Sequence, residues 1–97
     1  MTNTLELLQE KAKSVLEITQ EDLLRSSIRS LLHEKLRTIN IERIATCRKY
    51  NVASIEELDG LIQQGRVNEF LVDEDFQHLD YLTGKARELE ALLREIA

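Results

Sequence analysis

The chain has 97 residues, a formal net charge of −5 and no proline, which bounds it to one domain whose monomer would bury only about 60–65% of its unfolded surface. Its lone cysteine, Cys47, excludes an internal disulfide and fits a reducing, cytoplasmic setting. No basic stretch precedes an apolar run at the N-terminus, and no apolar run nears the roughly 20 residues of a membrane span, so neither a signal peptide nor a membrane anchor is expected.

Helix breakers are scarce. Glycine occurs only at positions 60, 65 and 84, and the aromatics are Tyr50, Phe70, Phe76 and Tyr81. The composition predicts an all-α fold with an aliphatic core. The first helix is expected over about residues 4–18, where Leu5, Leu8, Ala12, Val15 and Leu16 fall on one stripe. Thr19 can cap a new helix, with Asp22 in the position of a capping-box acid, so a break is predicted near residue 19, with one continuous helix as the alternative because neither Gly nor Pro enforces a stop.

A long helix follows over residues 20–50. Leu24, Ile28, Leu31, Leu32, Leu36, Ile39, Cys47 and Tyr50 share one wide stripe, while Leu23, Ile41 and Ile44 lie off it. A helix apolar on more than one face is covered by more than one neighbour. At about 1.5 Å per residue the helix is a rod of roughly 46 Å, against about 30 Å for a compact globule of this size. It is therefore expected to overhang its own chain.

Asn51 can end the rod, because asparagine tolerates the left-handed conformation that closes a helix. Ser54 and Glu57 form a capping box that opens a short helix over residues 54–64, with Gly65 as its stop. Residues 66–72 read as a connection whose Val67, Phe70 and Leu71 pack inward. Asp73 or Asp75 can cap the last helix, residues 74–96. There Leu79, Leu82, Ala86, Leu89, Leu93 and Ile96 are spaced like an a/d heptad seam, giving a coiled-coil-like C-terminal helix.

Charge is uneven along the chain. Residues 25–50 carry seven cations against Glu34 and Glu42, a net of +5, and residues 51–82 carry eight acids against Arg66, a net of −7. The two stretches are expected to lie near each other, within one chain or between chains. A nucleic-acid reading would use Arg25, Arg29, Arg37, Arg43 and Lys49, but the basic helix lacks interleaved aromatics and a glycine-hinged helix-turn-helix.

Catalytic and metal chemistry finds little support. Cys47 sits on an apolar stripe with no histidine near in sequence, and reads as a small buried hydrophobe. His33 and His78 have no second His or Cys at ligand spacing. Asp73, Asp75 and Gln77 begin like a calcium loop, yet His78 and Gly84 occupy the positions where that loop needs glycine and glutamate. There is no phosphate-cradling glycine loop and no nucleophile elbow. The chain is expected to be no enzyme and to need no cofactor or metal.

The stretch Arg48-Lys49-Tyr50-Asn51-Val52-Ala53-Ser54-Ile55-Glu56-Glu57-Leu58, followed by Leu61-Ile62-Gln63-Gln64-Gly65-Arg66-Val67, an acidic segment and a leucine helix, resembles small uncharacterised prokaryotic helical proteins that look like antitoxins of toxin–antitoxin pairs. Asn51 stands where that turn would carry glycine. The resemblance, over about residues 25–96, implies a role in binding and neutralising a partner toxin.

The sequence thus predicts an elongated helical hairpin. Residues 20–50 pack antiparallel on residues 74–96 through Leu24, Leu32, Leu36, Leu82 and Leu89, with the short helix at the bend. Two-fold homodimerisation would cover the remaining apolar surface, with Leu23, Ile41, Ile44, Leu92 and Ile96 in intermolecular contact. The expected function is a protein–protein interaction module, antitoxin-like. Nucleic-acid binding through the basic helix and a purely structural scaffold are the alternatives.

Overall fold

The computed structural model describes residues 3–97 and contains four helices: α1 (Thr4–Leu16), α2 (Gln20–Lys49), α3 (Ile55–Gln63) and α4 (Glu69–Ile96). Each begins on a side chain that accepts from an otherwise unpaired backbone N–H of the first turn. Asn3 serves α1 through Leu5, Thr19 serves α2 through Asp22, Ser54 serves α3 through Glu57, and Asn68 serves α4 through Phe70. Glu57 also reaches back and accepts from the Ala53 N–H at 2.7 Å, one residue ahead of the Ser54 N–H that a capping box would use.

The first three helices stop by one device. Residues Glu17, Asn51 and Gly65 take left-handed conformations, with φ of 56°, 54° and 67°. After each, paired backbone bonds close the last turn: Ile18 to Lys13 and Glu17 to Ser14, Val52 to Cys47 and Asn51 to Arg48, Arg66 to Leu61 and Gly65 to Ile62. This is the Schellman arrangement. Asparagine and glycine suit it; glutamate at position 17 adopts it against its Cβ sterics.

α2 and α4 form an antiparallel hairpin, and α3 closes its bend against α4. The hairpin core is two aliphatic clusters. Along the shafts, Ile39, Leu82, Ala86 and Leu89 are buried, flanked by Leu32 and Leu36. At the bend, Cys47, Leu58, Val72 and Leu79 are buried, with Tyr50, Val52, Ile55, Ile62, Val67 and Phe76 packed around them. Thr46 and Thr83 are the buried polar residues, and each donates its hydroxyl to a carbonyl one turn back, Glu42 and Leu79 respectively.

Four expectations are corrected. The last helix starts at Glu69, capped by Asn68, and not at residue 74; the added residues precede Asp73 and extend the buried stripe to Val72. Phe70 and Leu71 do not pack inward, at 91% and 73% exposure, because they fall on the outer side of that added turn. The longer α4 then runs beside nearly all of α2, so the rod does not overhang its hairpin: Arg25 and Arg29, near the start of α2, reach the carbonyl of Ile96 at the end of α4, both at 3.4 Å. Leu24, expected to hold the hairpin, is half exposed, as is its stripe neighbour Ile28.

The molecule measures 62 × 27 × 17 Å with a radius of gyration of 19.9 Å, whereas a compact chain of this length has about 12–13 Å. Part of the elongation is the hairpin itself. The rest is α1, which buries none of its residues.

Candidate interaction surface

Two surfaces differ in kind. The first is the open end of the hairpin with α1 attached. Its helix carries Leu5, Leu7, Leu8, Val15 and Leu16, all between 48% and 81% exposed. Three residues, Glu17 to Thr19, separate α1 from α2, and the first turns of α2 add exposed Leu24, Ile28 and Leu31. Helices of about 12–15 residues are marginal in water without a surface to lie on. α1 has 13 residues, a single i,i+3 ion pair between Lys13 and Glu10 at 2.9 Å, and no buried face.

The second surface is an open groove of about 460 Å³ beside the bend, floored by Ile44, Cys47, Val52, Ile55 and Leu79 and rimmed by Arg43. Cys47 lies 7% exposed, and burial pushes its thiol pKa up more than the nearby Arg43 draws it down. That direction disfavours the thiolate, the form in which a cysteine acts as a nucleophile.

Of the residues expected in intermolecular contact, Ile41, Ile44 and Leu92 stand about half exposed, while Leu23 and Ile96 are partly buried at the open end. They do not form one patch. Ile44 borders the groove near the bend, whereas Leu23 and Ile96 lie at the opposite end of the hairpin. Sequence reasoning found the stripe of α1 but not that the structure would leave it uncovered, beside the exposed Leu24, Ile28 and Leu31 of α2.

The five cations of the nucleic-acid reading all have partners within the chain. Arg25 pairs with Glu21 at 3.0 Å and, with Arg29, donates to Ile96. Arg37 forms a two-pronged pair with Glu34, holding that carboxyl below its ordinary pKa. Arg43 donates to Asn40, and Lys49 to Asp75. The last contact is where the basic and acidic stretches meet. The Tyr50 hydroxyl also donates to Asp75, which pushes the Tyr50 pKa up to about 12 and lowers that of Asp75.

Among the described residues no group of three or more potential metal ligands occurs, and no helix is long and apolar enough to cross a membrane.

Fold and surface together define an all-α protein: an elongated helical hairpin with an unpacked amphipathic helix at its open end. The chain belongs to the uncharacterized protein MJ0235 family, which matches residues 1–97. It is similar to the uncharacterized protein MJ0235 of Methanocaldococcus jannaschii, with 29% identity over 76 residues, 78% of this chain and 93% of that protein. Neither description speaks of toxin–antitoxin pairs. No solved structure matches the chain.

Proposed function

We propose that the protein is a protein-interaction module whose working element is α1, laid apolar side down on the helices of a partner. One observation carries this reading: a capped helix of 13 residues with no buried residue and five exposed large aliphatics. Such a helix gains little from propensity and much from a groove. The antitoxin resemblance of residues 48–58 implies a toxin as the module's target, bound in addition to whatever helical surface covers α1. The carboxylate partners of Arg25, Arg37 and Lys49 favour association through apolar helices over phosphate binding, since a phosphate would have to displace them.

Amide hydrogen exchange on the full chain, alone and with the products of the genes flanking its own, tests the reading. The α1 amides should become protected in the associated form, and Leu8→Asp should remove that protection. Exchange of α1 at the rate of an unstructured peptide under every condition would refute the module. An electrophoretic shift with nucleic acid that weakens steeply with salt would favour the basic-helix alternative instead.

A further inference from the structure

We infer that the surface on which α1 lies is the start of α2 in a second copy of this chain, so that two chains exchange their first helices. The inference rests on the module reading above and names its partner.

Area is the first argument. The chain exposes 7436 Å², whereas a folded monomer of 11.3 kDa exposes roughly 5,700 Å². The excess, about 1,700 Å² per chain, lies in the range that each partner of an obligate dimer contributes, about 1,000–2,500 Å².

Charge is the second. Two copies at −5 each repel. The net negative charge, however, is not at the open end. Residues 51–82 carry −7 at the bend, while residues 1–31 total −1, from Glu6, Glu10, Glu17, Glu21 and Asp22 against Lys11, Lys13, Arg25 and Arg29. Residues 83–97, which end beside them, total zero. Joining through the open ends puts neutral surface on neutral surface and keeps the acidic bends apart, far beyond the roughly 8–10 Å over which exposed charges interact in salt.

Connection geometry is the third. The link between α1 and α2 is three residues long and begins at Glu17, a non-glycine residue held left-handed at φ 56°. A short strained hinge favours exchange of the element it carries over folding back on its own chain. The aliphatics match in kind: Leu5, Leu8, Val15 and Leu16 on α1, and Leu24, Ile28 and Leu31 on α2, are all 47% to 81% exposed. Leu8 and Ile28 are the central pair.

Light scattering over roughly 1–100 µM should report a dimer. Leu8→Asp should convert it to a monomer, with loss of up to about one-sixth of the helical signal as α1 melts, while a cooperative unfolding transition of the α2–α4 hairpin survives. In a Cys47→Ala background, a Leu8→Cys, Ile28→Cys chain should oxidise to a disulfide between differently tagged copies. A monomer throughout the range, a dimer unmoved by Leu8→Asp, or a disulfide formed only within single chains would each overturn the exchange. A monomer whose α1 is protected by a flanking gene product would leave the module reading standing and remove only the second copy.

Discussion

The hydroxyl of Tyr50, the last residue of the long helix's C-terminal cap, donates to the carboxylate of Asp75 on the second turn of α4, and Lys49 reaches the other oxygen of the same carboxylate at 3.3 Å. This latch ties the two shafts together at the bend, beside the cluster of Cys47, Leu58, Val72 and Leu79. Tyr50→Phe keeps the ring packing and removes the donor. It should lower unfolding free energy by about 1–2 kcal/mol, since the bond is to a charged group that is only partly screened, as read from urea denaturation.

The latch has a pH signature. Asp75 has a depressed folded-state pKa, so its contribution is present above the unfolded carboxyl pKa and is lost as pH falls through the folded value. Tyr50 is raised to about 12, so its contribution is complete below the ordinary phenol pKa near 10 and is lost as pH climbs through about 12. Wild-type stability should therefore decline at both extremes, acid and alkaline, and Tyr50→Phe should flatten the alkaline limb. An alkaline decline of equal steepness in both proteins would show the latch is not its source.

Leu58 has no exposed surface and joins α3 to both shafts at the bend. Leu58→Ala should cost about 3 kcal/mol from lost burial and the cavity left behind, enough to threaten a chain of this size. A midpoint shift measured in urea with unchanged slope would confirm that the folded state, and not the unfolded ensemble, absorbed the change.

Gly84 lies inside α4 and a Cβ built there meets nothing within 4 Å. Gly84→Ala should stabilise the protein by about 0.5–1 kcal/mol through reduced backbone freedom in the unfolded chain. Calorimetry should show a rise of a few degrees, at most about 8 °C.

Glu17→Gly relieves the left-handed strain at the end of α1. About 1 kcal/mol of local stability should return to α1. The gain should appear as slower amide exchange in Thr4–Leu16, with little change in the global melt of the hairpin, whose core contains no residue of α1.

The caps and stops were legible because they depend on neighbours in sequence. Thr19, Ser54, Asn51 and Gly65 do what their chemistry dictates, whatever packs around them. The core was legible where one stripe faced one partner, as at Leu32, Leu36, Leu82 and Leu89. The start of α4 was not, because Asp73-Glu74-Asp75 imitates an acidic first turn while the true cap, Asn68, precedes an outward pair, Phe70 and Leu71, that looks like core. Leu24 was misplaced for a related reason. Periodicity gives the side of a helix, but which part of a wide stripe is covered depends on where the partner helix lies across it, and that is set by contacts remote in sequence, among them those of Arg25 and Arg29 with Ile96. That α1 would stand uncovered was hidden because amphipathicity reports the need for a cover and not its source.

A body of 62 × 27 × 17 Å drags far more solvent than a sphere of its mass. Gel filtration calibrated with round standards will assign even the lone chain an inflated weight, and an elution volume that looks dimeric carries no information about copy number. Scattering intensity and sedimentation equilibrium, which weigh particles without regard to outline, are the measurements that can count chains in this protein.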